Sequence, residues 1–278
     1  MVSQTNWLPI LIECKDKVKK QIDAYFKTLS QPQPSLGTGA GGDPIKQVDL
    51  AAEKAIVETL EERGISFTLI SEESGVKEFG ETPNECYVTA DPIDGTTNLI
   101  RRVPFYATSI AVSKKPVLSN VCAALVTDLF HGTTYTAQKS KGAFRDGEKI
   151  APSKNALLED AVIGLDLNAY KVEKIAPLLT DLIKRTKHIR HFGANALELC
   201  YVADGTTDAF IDIRGKLRTT DVAAAWLIVQ EAGGRITVPE GEPLEALLDP
   251  KQTVEFIAAN REIHPTILRM IKQKKEAK

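Results

Sequence analysis

A chain of 278 residues is long enough to bury a large core in one two-lobed unit or in two abutting domains. Its 35 basic and 37 acidic residues nearly balance, so no basic surface for a nucleic-acid partner is predicted. The longest apolar runs, such as VCAALV at 121–126, are too short for a membrane span, and scattered cysteines without a CxxC pair exclude a zinc or disulfide framework. We therefore expect a cytoplasmic protein without a membrane partner.

The first half of the chain begins with two helical patterns, predicted from Trp7 to about residue 29 and from Gln47 to about Arg63. The segment 30–46 between them is rich in glycine and proline, and it is either a linker or a mobile loop. We favour the mobile loop, because the segment immediately precedes a candidate ligand, Asp49. Short β-type segments follow from residue 65 and end in a hairpin-like stretch before residue 150.

From residue 154 onward the pattern changes to alternating strands and helices, with apolar strand segments at 161–167, 207–213 and 255–260. We predict an α+β lobe at 1–153 that carries a ligand-binding loop, and an α/β lobe at 154–278 that completes the site. This order of elements predicts helices and sheets stacked in layers.

The octapeptide DPIDGTTN at 91–98 follows the strand-like segment CYVTA, and taken alone its Asp-Pro and Asp-Gly pairs predict a turn. It also suits a hard cation, because Mg²⁺ prefers oxygen ligands, and Asp91 and Asp94 offer two carboxylates with the carbonyl of Ile93 between them. If residues 95–97 open a helix, their backbone N–H groups form an anion site. One loop could therefore hold both a metal and a phosphate.

Further acids lie at positions that have simple structural explanations when each is taken alone. Glu72 and Glu73 end an apolar strand, where catalytic groups of α/β proteins are often displayed. Asp221 is interpreted as an N-cap worth about 1 kcal/mol, and Asp49 as another acid in a first helical turn. Glu73 is expected to orient rather than ligate, because neighbouring strand residues point to opposite faces. Taken as a set with the octapeptide, these acids favour a metal site.

The segment DPIDGTTNL resembles the first signature of the inositol monophosphatase family of Mg²⁺-dependent, lithium-sensitive phosphatases, and TDVAAAWLIVQEAGG at 220–234 resembles the second. SEES at 71–74 is similar to the Glu-Glu motif of the family, and Asp49 lies at a matching distance upstream. The resemblance runs over nearly the whole chain. It implies a layered αβαβα sandwich of the sugar-phosphatase type, a homodimer, and a phosphoric monoester hydrolase that acts on a small sugar or polyol phosphate.

The resemblance also implies two to three Mg²⁺ ions in each active site, which Mn²⁺ can replace. The implied ligands are Glu72, Asp91, the carbonyl of Ile93, Asp94 and Asp221, with Asp49 reaching a third ion through water. By the same resemblance, Thr96 and Glu72 orient the attacking water, and the backbone N–H groups of Gly95 and Thr96 hold the phosphate. We expect in-line attack by metal-activated water without a covalent phosphoenzyme, since no motif contains a cysteine or histidine nucleophile.

One departure from the common family pattern bears on the substrate. Thr220 stands where the bacterial and animal enzymes usually have tryptophan, and FIDIRGKLRTTDVAAA resembles archaeal members that hydrolyse both fructose 1,6-bisphosphate and inositol monophosphate. The resemblance assigns substrate contacts to Arg190 and Arg214, and Asn195 would line the same pocket. The alternatives are an inositol monophosphatase only, a 3′-phosphoadenosine-type nucleotide phosphatase, and a catalytically silent relative that binds sugar phosphate. Retention of the acids together with Thr96 disfavours the silent relative.

Overall fold

The first half of the chain forms an eight-stranded sheet that is covered on one face by two helices. The computed structural model describes residues 5–28, 40, 46–168 and 170–276, so the predicted mobile loop lies outside the described residues apart from Ala40 and Lys46. The helices are α1 (Trp7–Thr28) and α2 (Gln47–Glu62), and the strands are β1 (Phe67–Ser71), β2 (Gly75–Phe79), β3 (Tyr87–Asp94), β4 (Ala107–Ser113), β5 (Val121–Asp128), β6 (Thr134–Gln138), β7 (Gly142–Arg145) and β8 (Glu148–Lys149). Their spatial order is β2-β1-β3-β4-β5-β6-β7-β8, and the neighbouring strands β1 and β3 are parallel.

The second half forms a five-stranded sheet with helices on both faces. Its strands are β9 (Val162–Leu165), β10 (His188–Arg190), β11 (Ala209–Arg218), β12 (Arg235–Thr237) and β13 (Thr253–Ala259), in the spatial order β10-β9-β11-β13-β12. The short helix α3 (Thr96–Arg101) belongs to the first half and links β3 to β4. The helices of the second half are α4 (Val172–Arg185), α5 (Asn195–Ala203), α6 (Thr219–Ala232) and α7 (His264–Glu276).

Helix α1 shows how the sequence pattern produces the outer layer. Its side chains at Trp7, Leu11, Cys14, Val18 and Ile22 recur every three or four residues, and all of them are buried. This apolar face packs against α2 and against strands β4 and β5. The helix therefore covers the outer face of the large sheet.

Helix α6 has the opposite character, because it is apolar all round. Every residue from Val222 to Val229 is buried, since α6 and α5 lie between the two sheets and contact both. The helix ends at Gly233, which adopts the left-handed conformation with φ of 96° that favours glycine. Helices α4 and α7 cover the far side of the small sheet, where a third apolar cluster lies.

The layers therefore run helix, sheet, helix, sheet, helix, and the predicted αβαβα sandwich is confirmed. The predicted division of the chain between residues 153 and 154 stays a prediction. None of the described helices is both long and apolar enough to cross a bilayer.

Candidate active site

Strand β3 continues through Asp94, so the octapeptide begins as strand rather than as the predicted turn. Its pairing with β4 shifts register between Asp91 and Asp94, at Pro92, which has no N–H to donate to the ladder. The N–H of Ile93 instead donates to Oδ1 of Asp91 at 3.1 Å. Such bulges re-aim side chains next to active sites, and this one places both aspartates on the wall of a cavity of about 560 Å³.

Gly95 joins this bulged strand to α3 and touches the second half of the chain. Its φ is 87°, and a Cβ built on it would lie 3.1 Å from both the Ala194 Cβ and the Gly193 carbonyl oxygen, and 3.2 Å from the Phe105 carbonyl oxygen. Both the backbone conformation and the close approach therefore require glycine.

Three acids converge in the cavity from three different elements. Glu72 follows β1, Asp91 lies in β3 and Asp221 lies in the first turn of α6, and each has a carboxylate oxygen within 4.8 Å of the others. A compact group of anionic oxygen donors, with Asp91 and Asp221 buried, fits a hard divalent cation such as Mg²⁺. The structure thus brings together three of the acids that the sequence indicated as metal ligands.

Asp94 connects this cluster to the start of α5. Its two carboxylate oxygens accept the N–H groups of Asn195 at 3.0 Å and of Ala196 at 2.7 Å. These donors are among the first N–H groups of a helix, which have no partner within the helix itself. Asp94 therefore holds α5 against the end of β3 while it lines the cavity.

Burial raises the pKa values of the acids around the cavity. The pKa of Asp91 is well above its usual range because the carboxyl is buried and because Glu72, Asp94 and Asp221 lie close by. Burial also raises the pKa values of Asp94 and Asp221. Glu73, although only partly buried, has a pKa of about 8, caused by burial and then by the neighbouring charges of Asp49 and Glu72. A bound cation would relieve this accumulated repulsion.

Thr96 and Asp49 form a pair beside the cluster. The Thr96 hydroxyl lies 3.1 Å from Oδ1 of Asp49 and 2.9 Å from the carbonyl oxygen of Ile93, and it can donate to either. The other carboxylate oxygen of Asp49 accepts the N–H of Lys46 at 3.0 Å, which holds the start of α2. Burial raises the pKa of Asp49 to about 6.

Asp221 is not the N-cap of α6, and this sequence interpretation is wrong. The N-cap is Arg218, and Asp221 is the third residue of the first turn. Oδ2 of Asp221 accepts the backbone N–H of Arg218 at 3.1 Å, as Oδ2 of Asp49 accepts that of Lys46. Thr219 and Thr220 extend the helix ahead of the aspartate, because Thr219 is anchored by mutual hydrogen bonds with Asp249.

The far end of the cavity is built around Arg214, which lies where β11 shifts register between Asp212 and Leu217. Its Nε and Nη2 donate to Asp212, and Nη2 also pairs with Asp166. Nη1 has no hydrogen-bond partner among the described residues. The guanidinium is therefore fixed by two buried carboxylates, with one nitrogen left unused.

The structure separates the two predicted substrate arginines. Arg190 is exposed, its Nη1 donates to the carbonyl oxygen of Ile189 at 2.9 Å, and it is not among the described residues that line the cavity. Gly95, Thr96 and Asn195 do line it.

Sequence reasoning missed several other lining residues, namely Lys46, Arg101, Asp166, Asn168, Lys216 and Arg218. Asp166 follows the end of strand β9, a position that could have marked it as a candidate.

Comparisons with known proteins show which family this chain belongs to. The model of the inositol monophosphatase family matches residues 3–276. Two proteins named fructose-1,6-bisphosphatase/inositol-1-monophosphatase are similar to the chain: that of Archaeoglobus fulgidus is 36% identical over 98% of this chain and 100% of its own length, and that of Methanothermobacter thermautotrophicus is 34% identical over 95% and 96%. The crystal structure of the extragenic suppressor protein suhB from Bartonella henselae matches with a TM-score of 0.84 at 29% identity, over 97% of this chain and 99% of that one.

The fold and the acidic cavity are therefore those of a metal-dependent class of phosphatases. The chain belongs to the inositol monophosphatase family, and the resemblance seen in its three motifs is confirmed. It is accordingly an enzyme that hydrolyses phosphoric monoesters.

We expect Gly95→Ala to destabilise the fold more than Gly147→Ala does. Both glycines have a φ near 85°, at 87° and 85°, but a Cβ at Gly147 would meet nothing within 4 Å. The control should therefore cost only the left-handed strain of about 1–2 kcal/mol, whereas the site variant adds tight contacts of 3.1–3.2 Å with Ala194 and with two backbone carbonyl oxygens. Denaturant unfolding measures both, and equal losses would show that the approach of residues 193–194 does not constrain Gly95.

We expect Mg²⁺ to stabilise the protein, and to do so more strongly at pH 8 than at pH 5.5. The pKa values of Asp49, Asp94 and Asp221 are raised above those of the unfolded chain, so bound protons stabilise the metal-free fold at low pH and this contribution is lost as the pH rises through the raised values. Mg²⁺ at about 100 times its Kd adds roughly 2.7 kcal/mol. Thermal unfolding measures the shift.

In the same assay Asp221→Asn should lose most of the Mg²⁺ shift, because it removes a charged ligand. Asp160→Asn is the matched control, since Asp160 is exposed and pairs only with Lys187 among the described residues. A shift that persists in Asp221→Asn, or that is larger at pH 5.5, would contradict the metal assignment.

Proposed function

We propose that this phosphatase hydrolyses both inositol 1-phosphate and fructose 1,6-bisphosphate, using Mg²⁺, which Mn²⁺ can replace. The observation that carries the proposal is the convergence of Glu72, Asp91 and Asp221 beside the Thr96–Asp49 pair. The similarity to archaeal relatives named fructose-1,6-bisphosphatase/inositol-1-monophosphatase supports the choice of substrates. We also propose that the enzyme works as a cytoplasmic homodimer, as the family resemblance implies.

The chain's own groups divide the work on the scissile phosphate. Bound Mg²⁺ would be held by the implied ligands Glu72, Asp91, Ile93, Asp94 and Asp221, and it would activate water and neutralise charge on the phosphoryl group. The backbone N–H groups of Gly95 and Thr96 would hold the phosphate oxygens, and both residues line the cavity. Positioning and charge neutralisation are the main demands of phosphoryl transfer.

Thr96 and Asp49 are suited to take up the proton of the attacking water. A hydroxyl that donates to Oδ1 of Asp49 keeps lone pairs with which it can accept a hydrogen bond from that water. Burial raises the pKa of Asp49 to about 6, which is closer to neutral pH and suits a general base. The predicted partnership of Thr96 with Glu72 would orient the same water.

The far end of the cavity would recognise the rest of the substrate. Arg214 is held by Asp166 and Asp212, so its charge is compensated, and its unused Nη1 can donate to either a hydroxyl or a phosphate oxygen. Lys216 also lines the cavity, and it has no salt bridge among the described residues. Its Nζ lies 5.9 Å from the centroid of the Tyr170 ring. An end that combines a compensated guanidinium with an ammonium outside any described salt bridge suits both a polyol and a second phosphate.

We expect Thr96→Val to lower kcat by about 10²-fold or more, because general base assistance contributes roughly 10²–10⁴. Valine keeps the shape of threonine but removes the hydroxyl that links the water to Asp49. Thr96→Ser keeps the hydroxyl and is the matched variant that should retain most activity. Phosphate-release kinetics at saturating Mg²⁺ measure both, and a Thr96→Val enzyme with near-normal turnover would remove the threonine from the proton path.

A phosphate-release screen tests the substrates themselves. We expect Mg²⁺-dependent release from inositol 1-phosphate and from fructose 1,6-bisphosphate, little from adenosine 3′,5′-bisphosphate, and none in EDTA. Release from inositol 1-phosphate alone would indicate an inositol monophosphatase of single specificity. No release from any ester would favour the catalytically silent relative.

Within that screen, Arg214→Lys keeps a positive charge for Asp166 and Asp212 but loses the planar fork. Because a charge-assisted hydrogen bond contributes roughly 1.5–3 kcal/mol, we expect kcat/KM for the bisphosphate to fall by at least about tenfold, and that for inositol 1-phosphate to fall less. Arg190→Ala tests the second predicted arginine in the same way. Equal losses on both substrates would assign these arginines to general positioning.

A further inference from the structure

Arg218 connects strand β11 of the second half to Glu72 of the first half. It ends β11 and caps α6, and its side chain crosses the cavity wall to pair, through Nη1, with Oε1 of Glu72. Its backbone N–H donates to Oδ2 of Asp221 at 3.1 Å. One residue therefore contacts two of the three acids whose oxygens cluster within 4.8 Å.

The charges explain why a cation belongs at this position in the metal-free protein. Glu72, Asp91 and Asp221 lie so close together that ionising all three inside the fold costs free energy through mutual repulsion. A guanidinium is always protonated at physiological pH, and it is more weakly hydrated than an ammonium, so it tolerates burial well. Arg218 is 9% exposed, and its charge lowers the pKa of Asp221 and of Glu73.

We propose that Arg218 is an internal counter-cation that competes with the divalent metal for Glu72. This inference rests on the proposed function, because it takes the three acids to be metal ligands. The Arg218–Glu72 ion pair stabilises the metal-free cavity, and a divalent cation that uses Glu72 has to break or weaken that pair. Arg218 thus trades metal affinity for stability of the metal-free fold.

The same geometry places the Arg218 guanidinium near a further possible partner. Arg218 lines the cavity together with Gly95 and Thr96, where the scissile phosphate would be held. Once separated from Glu72, its fork can pair with a phosphate oxygen, for which its planar geometry is well suited. Metal and phosphate binding therefore reinforce each other, and by linkage each raises the affinity of the other by the same factor.

The test measures Mg²⁺ binding by calorimetry to protein freed of metal with EDTA, together with the thermal stability of the metal-free form. In Arg218→Gln we expect the Kd for Mg²⁺ to fall by about tenfold, within the usual range of site-to-site coupling, while the Tm without metal falls. Arg218→Met keeps an apolar side chain and should show the same changes in Kd and Tm. Agreement between the two variants would exclude a folding defect caused by glutamine alone. A variant that folds only when Mg²⁺ is present would support the proposal.

Arg145→Gln is the matched control. Arg145 donates through Nη1 to Oδ2 of Asp204 at 2.9 Å, the Asp204 side chain is 3% exposed, and neither residue lines the catalytic cavity. Its loss should lower the Tm and leave the Kd for Mg²⁺ unchanged.

The wild-type protein titrated with inorganic phosphate present should bind Mg²⁺ more tightly than without it, and this gain in affinity should be smaller in Arg218→Gln.

The outcomes separate the two proposals. If the wild-type protein binds no Mg²⁺, the metal site of the proposed function fails, and the role of Arg218 falls with it. If the wild-type protein binds Mg²⁺ but Arg218→Gln and Arg218→Met bind it equally or more weakly, the proposed function stands and the competition is overturned.

Discussion

Repulsion among buried carboxylates is the constraint around which this molecule is arranged. Asp91 and Asp221 are almost inaccessible to water, and with Glu72 they bring oxygens within 4.8 Å of one another. Such a group is unfavourable in a protein interior unless protons, cations or directed hydrogen bonds offset it. All three forms of compensation occur in the cavity: raised pKa values, the guanidinium of Arg218, and backbone N–H groups that donate to acids which begin or border helices.

The fold produces this arrangement because strands from both sheets and the first turns of two helices meet at the cavity. Strand β3 and strand β11 each lose regular pairing near the cavity, between Asp91 and Asp94 in one sheet and between Asp212 and Leu217 in the other. Helices α2 and α6 each present an aspartate on the third residue of the first turn, where it accepts a backbone N–H. The site is thus made of irregular backbone segments that two regular sheets hold in place. Backbone strain is tolerated in such segments because the surrounding structure fixes their geometry.

Much of this could be predicted from the sequence because it is local. Apolar periodicity located α1 and α2, uninterrupted apolarity located α6, and the family motifs indicated Asp91, Asp94 and Asp221 as ligands. The edge strands β2 and β12 were missed, since β2 is mostly exposed and β12 has only three residues. Arg218 could not be found by pattern, because 146 positions separate it from its partner Glu72. The end of strand β9 could have marked Asp166 as a candidate, but not its pairing with Arg214, which lies 48 positions away.

The position of α6 in the chain has a consequence for the way the protein is made. A ribosome synthesises all eight strands of the first sheet before residues 219–232, which form the helix that covers its inner face. Until then, apolar side chains on that face, including those of Val126 and Tyr135, have no permanent cover. The growing chain therefore passes through a stage with exposed apolar surface, when aggregation and chaperone capture compete with folding, and catalytic competence arises only after residues 219–232 have been synthesised.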